Sequence, residues 1–484
     1  MRSEIILFGL LLWFGFGASV ALLSRRLARR SSSDFFIAQR SVSGVIAAMT
    51  YSATTYSAFM MVGLVGYVYA TGVGAIGFEL TYLLGTVILL LIFAPRFWIA
   101  GKLRGYISPA ELLSDRYGSR AVGAVFAVIS LIMLIPYSSV QFTGIAYLLQ
   151  TVSGGEIDFL TSLVIAYVII LIFTLWGLRS VAWTDALQAS IMLASSLMFL
   201  FILISRVGGL SEMFSTLQNT HPELLYANSW DFMKFLGLTV PWFFFALSNP
   251  QVSQRLFIAR DAKSLRTMIL GFSAFGLIYT LIVGLIGLSS RILLPSVQSS
   301  DLVMPALLSS EDSIIALIVL LGIIGAAIST LNSIILTLSS MFVRDIFGAL
   351  GGISEEREIL IGKLLIPVIA FLALVFSYFR FGLIVELSVA SSAGLLSAVP
   401  SALGALVWRR GGRWSALISI LSGSCAAVLL YSLSIFPFGL YPGVWVALIS
   451  FSSYFLLSLF ERAPSELSGF LDEMKAELRK RGMD

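Results

Sequence analysis

Of the chain's 484 residues, 58% are hydrophobic and only 12% are charged, with a mean hydropathy of +0.96 and a formal net charge of +5. Ordinary soluble domains are roughly half apolar and about a quarter charged, so a soluble globular protein is excluded. A lone Cys425 and a lone His221 likewise exclude an internal disulfide and any metal cluster built from cysteine or histidine.

A hydrocarbon core needs ~20 apolar residues per helical crossing, and the apolar content suffices for about a dozen. In chain order, hydrophobic runs between charge and turn punctuation predict thirteen membrane helices, at about 4–24, 42–67, 73–99, 121–149, 158–177, 185–205, 232–250, 267–290, 312–343, 359–379, 382–408, 413–435 and 439–460. Several have no polar face, which argues against a barrel of alternating strands. The first run is read as an anchored helix rather than a signal peptide, because Arg25, Arg26, Arg29 and Arg30 follow it and no small-residue cleavage site is evident.

All but five of the 31 Lys and Arg residues fall in alternate loops on one side, including the loop from Arg255 to Arg266; the exceptions are Arg2, Arg206, Lys234, Arg291 and Arg380. This asymmetry places the amino terminus outside and the carboxyl terminus in the cytoplasm, as an odd number of crossings requires. The positive charge therefore records topology in membrane lipids and calls for no nucleic-acid partner. After the last span, the tail of residues 463–484 carries Leu467, Phe470, Leu471, Met474 and Leu478 at helical spacing among charges, which predicts a short amphipathic helix on the inner surface.

Two spans hold polar blocks that lipid would penalise. The second contains Thr50-Tyr51-Ser52-Ala53-Thr54-Thr55-Tyr56-Ser57-Ala58, and the ninth contains Gly325-Ala326-Ala327-Ile328-Ser329-Thr330-Leu331-Asn332-Ser333. Hydroxyls at such positions serve either a packed helix interface or a locally unwound helix whose carbonyls face a binding cavity. In the second case the hydroxyls of Ser329 and Thr330, with carbonyls from a broken helix opposite, form a neutral oxygen cage suited to a hard monovalent cation.

The chain resembles the sodium:solute symporter family, whose members carry proline, pantothenate, sugars, sialic acid and monocarboxylates. The likeness rests on Phe35-Phe36-Ile37-Ala38-Gln39-Arg40, the block at 50–58 leading to Gly63-Leu64-Val65-Gly66, Ile107-Ser108-Pro109-Ala110-Glu111-Leu112-Leu113 with Arg116-Tyr117-Gly118, Gly177 to Asp185 with Gln188, and Ala326 to Thr330. It implies an all-α, LeuT-like core of two inverted five-helix repeats, about 42–205 and 232–408, with accessory helices at about 4–24, 413–435 and 439–460. It further implies that the second and ninth spans cross, and that sodium is held by the carbonyls of Ala53, Tyr56 and Ala326 and the hydroxyls of Ser329 and Thr330.

By the same resemblance, Asp185, expected at the cytoplasmic mouth of the sixth span, belongs to a sodium release path or second ion site with Asn332 and Ser333. An acid there also serves as a helix cap. Thr54, Thr55, Ser57, Tyr137, Trp242 and Pro250 are expected to face the solute. Glu79, a carboxyl within an apolar span, is a candidate cavity acid for which the family supplies no role.

The function these readings imply is secondary active, sodium-driven import of a small, carboxylate-bearing solute. No phosphate-binding loop, nucleophile with paired acid or metal cluster points to an enzyme. Two alternatives use the same residues: a proton-coupled carrier in which Glu79 or Asp185 titrates, and a membrane sensor that binds solute without moving it.

Overall fold

The computed structural model describes residues 1–25, 31–227, 230–348, 354–461, 464 and 469–483. Arg26, Arg29 and Arg30 of the first basic loop, and Leu467 of the tail, lie outside these residues. Among the described residues there are helices and turns, no strand, and one isolated bridge between Val42 and Ala259.

Thirteen helical segments answer to the thirteen expected spans. They are α1 (Ser3–Arg25), α2 (Gly44–Thr55 and Phe59–Thr71), α3 (Val73–Arg104), α4 (Arg120–Val152), α5 (Phe159–Thr174), α6 (Leu178–Arg206) and α7 (Phe232–Phe243, continued by Phe245–Ser248 and Pro250–Ser253). The remainder are α8 (Ala262–Leu293), α9 (Ser313–Met341), α10 (Glu355–Tyr378), α11 (Ile384–Leu396 and Val399–Val407), α12 (Arg413–Ser432) and α13 (Pro442–Phe460). Nine are long and apolar enough to cross a bilayer unaided, and the bent pairs α2 and α11 bring the number to eleven. With 16 residues, α5 reaches about 24 Å, short of a ~30 Å hydrocarbon core.

The expectation of an unbroken helix over 232–250 is corrected by α7. Pro241 lies within its first segment, the helix ends at Phe244, and Asn249 is extended (φ −91°, ψ 110°) before Pro250 restarts it. Proline removes one backbone donor and clashes with the preceding turn, so an apolar run containing two of them is uniform in hydropathy without being uniform in backbone. The first helix of each expected repeat, α2 and α7, is thus discontinuous.

Of the nine unbroken spans α9 is the most enclosed, with 72% of its most apolar stretch buried against 28% for α13 and 33% for α1 and α10. It packs on α6, α4 and α10, and α2 fits between α8, α6 and α9. Phe8, Leu11 and Leu12 on α1, Leu91 on α3, Leu270 on α8 and Leu360 and Leu364 on α10 remain exposed on the outside. Such a belt of bare apolar side chains suits acyl chains and not water.

The tail differs in placement from the sequence expectation. Its helix Phe470–Lys480 buries Phe470, Leu471, Met474 and Leu478 against the protein, beside the end of α3, where the Arg104 guanidinium lies 5.3 Å from the Phe470 ring centroid. Arg409 pairs with Asp472 at 2.6 Å. The apolar face that periodicity assigns to a lipid surface is covered by the chain itself.

The second segment of α2 approaches its neighbours closely enough to require glycine: a Cβ on Gly66 would stand 1.9 Å from the Ser300 carbonyl oxygen. Gly66→Ala is expected to cost about 1–3 kcal/mol through overpacking, read as a lowered melting temperature in detergent. Gly77→Ala on α3, where a Cβ meets nothing within 4 Å, is the control that should not lower it.

Candidate functional site

The first half of α2 ends because Tyr56 is extended (φ −96°, ψ 108°), and the chain re-enters helix at Phe59. A backbone break buried in a membrane protein survives only if other groups satisfy the freed donors and acceptors. The Ala58 N–H, whose helical acceptor would be the Thr54 carbonyl, donates instead to Gln141 Oε1 at 3.1 Å, and Phe59 N–H donates to Ser57 Oγ at 3.2 Å.

The carbonyls released upstream are met by α9. Ser329 Oγ donates to the Ala53 carbonyl at 2.8 Å and lies 2.8 Å from the Ala326 carbonyl; Thr330 Oγ1 stands 3.1 Å from Ala53 O and 3.4 Å from Thr54 O. Ala53, Thr54, Ala326, Ser329 and Thr330 are all fully buried. The structure therefore gathers four of the five residues expected around sodium, and adds the Thr54 carbonyl. Tyr56 ends the helix, and its ring stacks on Phe272 and Phe275 at centroid distances of 5.7 and 5.9 Å; among the described hydrogen bonds none joins its carbonyl to α9. The cluster is an uncharged, all-oxygen set. Its hydroxyls spend their protons on carbonyls, and a hard cation among them would turn those protons outward and accept the lone pairs of both.

Next to this cluster runs a second polar chain. Thr50 Oγ1 donates to Asp185 Oδ2 at 2.6 Å, Thr54 Oγ1 pairs with Ser333 Oγ at 2.9 Å, Arg255 Nη2 donates to Ser333 Oγ at 2.6 Å, and Thr174 Oγ1 donates to Asn332 Oδ1 at 2.8 Å. Two sequence expectations are corrected here. Asp185 is not at a helix mouth but two turns inside α6, which starts at Leu178, and is fully buried. Arg179, whose charge made the preceding turn read as loop, is tied to Asp34 at 2.6 Å. Arg255 was counted with the cytoplasmic loop and is instead fully buried, carried inward by the turn Gln254–Phe257 that extends α7.

The remaining candidates divide between two places. Trp242 sits in an aromatic box formed by Phe59, Tyr82, Phe245 and Phe78, at ring distances of 4.6, 5.1, 5.5 and 5.6 Å, with Tyr137 next to Phe245 at 6.4 Å. Glu79 is fully buried with neither carboxyl oxygen hydrogen-bonded, within electrostatic reach of the Tyr56, Tyr82 and Tyr137 hydroxyls. Trp242 Nε1 and Thr55 Oγ1 also lack partners. Thr54, by contrast, turns its side chain to α9 and away from this group, because Ser333 offers a hydrogen bond there. Pro250 starts the short segment beside Asn249, which packs on α9 and α2. Sequence reasoning missed Gln141 and Arg255, and named Thr50 only as part of its polar block without a role; Gln141 is a polar residue within an apolar span, the signal that singled out Glu79.

Broken helices, buried uncharged oxygens at the break and an adjoining aromatic box define a membrane carrier for a small solute and a coupling ion. The description "Sodium:solute symporter family" matches residues 35–423, and the chain belongs to that family, whose coupling ion is sodium. The sodium/pantothenate symporter of Haemophilus influenzae is 26% identical over 91% of this chain and 93% of its own length. The high-affinity proline transporter of Bacillus subtilis is 23% identical over 90% and 94%. Among solved structures, a substrate-bound, outward-open Na+-coupled sialic acid symporter superposes with TM-score 0.80 at 18% identity, covering 95% of this chain and 99% of that one. The fold is accordingly LeuT-like.

Removing the amide that holds the α2 break isolates its contribution. Gln141→Leu leaves the Ala58 N–H buried without an acceptor and is expected to cost about 1–3 kcal/mol. Gln141→Glu, which keeps an acceptor, should retain more of the wild-type melting temperature.

Proposed function

We propose that this chain is a secondary active symporter that imports a small organic solute, carboxylate-bearing in our reading, by alternating access, with the inward sodium gradient as its energy source. The observation that carries the reading is the convergence of the Ala53, Thr54 and Ala326 carbonyls with the Ser329 and Thr330 hydroxyls where α2 is broken. Sodium bound there joins α2 to α9, and its effect on the transport cycle is the difference between its affinities for the outward-open and inward-open forms.

The solute would lie against Trp242, Tyr137, Thr55 and Ser57 near the turn at Pro250, with Glu79 as the cavity acid. The repeats would be α2–α6 and α7–α11, with the amino terminus outside and the carboxyl terminus inside. Moving one Arg from loop to interior leaves the charge asymmetry behind that orientation large. The names of the pantothenate and proline relatives support a solute bearing a carboxylate. One positive charge crossing ~100 mV releases ~2.3 kcal/mol, which supports roughly 40-fold accumulation from voltage alone.

The test is uptake into proteoliposomes of a panel containing proline, pantothenate and short monocarboxylates, with and without a sodium gradient. Ser329→Ala and Thr330→Ala are each expected to raise the half-saturating sodium concentration by about tenfold, equivalent to ~1.4 kcal/mol. Unchanged sodium dependence in the double variant, or uptake driven by a pH gradient alone, overturns the reading. Trp242→Ala should shift preference among panel solutes, and an unaltered profile removes Trp242 from the pocket.

A further inference from the structure

The helix Phe470–Lys480 docks on the end of α3, around Trp98. That ring is fully buried, with Lys102 Nζ 4.0 Å and the Arg481 guanidinium 5.4 Å from its centroid, and its Nε1 donates to the Ala259 carbonyl at 2.8 Å. Two further anchors lie on other spans. Arg266, in the opening turns of α8, donates to the Gly482 carbonyl at 3.1 Å, and Arg409, just past the end of α11, pairs with Asp472 at 2.6 Å. α3 and α8 pack on each other and on α2, whereas α11 packs on α4 and, by its second segment, on α12 and α13. One short helix thus ties together two groups of spans. Between the groups lies a small cavity lined by Phe97 of α3, Leu247 of α7, Phe126 of α4 and, at the bend of α11, Ala398 and Ala402. These walls are apolar, so parting them breaks no hydrogen bond between lining side chains.

We propose that the helix Phe470–Lys480 is an autoinhibitory strap that, while docked, holds α3 and α8 to α11 and keeps this seam closed, so that transport is slow until the strap lifts. The inference adds regulation to the proposed carrier and rests on that reading for its effect on uptake. Alternating access rocks one group of helices against another, and a segment bonded to both groups favours the closed form by the difference in its contacts between the two forms. The strap is also able to release. Its ion pair with Arg409 is exposed on both sides and so holds weakly. Its grip is the buried stripe of Phe470, Leu471, Met474 and Leu478, and an apolar stripe flanked by charge is equally at home in the interface of a bilayer. Lifting from the protein to the adjoining membrane surface exchanges one apolar partner for another instead of exposing the stripe to water. On the proposed topology this end faces the cytoplasm, the side to which solute is released.

The experiment reads the seam directly. In the full-length protein carrying Cys425→Ser and Ala402→Cys, held in lipid nanodiscs, the rate of reaction with a membrane-impermeant maleimide reports how often the seam parts. Adding Leu471→Glu/Leu478→Glu, which removes the grip, is expected to speed labelling about fivefold, whereas Leu471→Met/Leu478→Met, which keeps it, should match the reference. Equal rates in the Glu variant and the reference overturn the proposal. If the Glu variant elutes aggregated, Met474→Ser decides by the same measure, with about twofold faster labelling expected and an unchanged rate overturning the proposal. The inhibitory role is read in proteoliposomes, where the undocked variant is expected to import about threefold faster than the unmodified protein. Faster labelling with unchanged uptake leaves a mere packing contact and overturns the role. Absence of sodium-driven uptake in the unmodified protein and variant alike counts against the symport reading, and the strap then stands or falls on the labelling rate, which needs neither solute nor ion.

Discussion

The constraint on which this structure depends is that hydrocarbon satisfies no peptide group. Breaking α2 at Tyr56 strands donors and acceptors whose loss, uncompensated, costs several kcal/mol apiece in lipid. Three side chains from two other helices take them up: Gln141 of α4 captures the Ala58 N–H, and Ser329 and Thr330 of α9 capture the Ala53 and Thr54 carbonyls. The break is therefore stabilised by the hydroxyls that an ion would recruit. On the proposed reading, a cation entering between them would exchange hydrogen bonds for coordination, which keeps the change in free energy small.

On the proposed reading, the same segment ties ion to solute. Ala53 and Thr54 supply carbonyls to the oxygen cluster, and five residues after Thr54, Phe59 packs at a tilt against Trp242 in the aromatic box. Between them lie Tyr56, packed among Phe272, Phe275 and Tyr279, and Ser57, whose hydroxyl accepts the Phe59 N–H. A shift of the 53–58 segment that tightens the oxygen cluster also moves the wall of the box. Coupling of this kind would need no relay through distant residues, because a single short stretch of backbone borders both the oxygen cluster and the aromatic box.

What the sequence made legible follows from which signals are local. Hydropathy placed the thirteen segments, and the polar blocks at 50–58 and 325–333, remote in the chain, meet in the structure as expected. The departures come from long-range pairing that hydropathy does not encode. Arg179 reads as a loop residue until Asp34 neutralises it, and so the start of α6 and the depth of Asp185 were misjudged. Arg255 reads as a cytoplasmic positive charge until the turn after α7 carries it inward toward Ser333. The tail helix has an amphipathic pattern that lipid or protein can satisfy equally, and the end of α3 does so.

Charge bookkeeping along the pathway gives these misread residues a common meaning. The oxygen cluster is built of uncharged groups, whereas the polar chain next to it holds Asp185 and Arg255, both fully buried. On the proposed reading, sodium at the cluster would add one positive charge to a set of neutral oxygens, and a membrane potential acts only on charge that moves. Arg255 and Asp185, both buried nearby, are held by the hydroxyls of Ser333 and Thr50, so neither polar head stands bare in the interior.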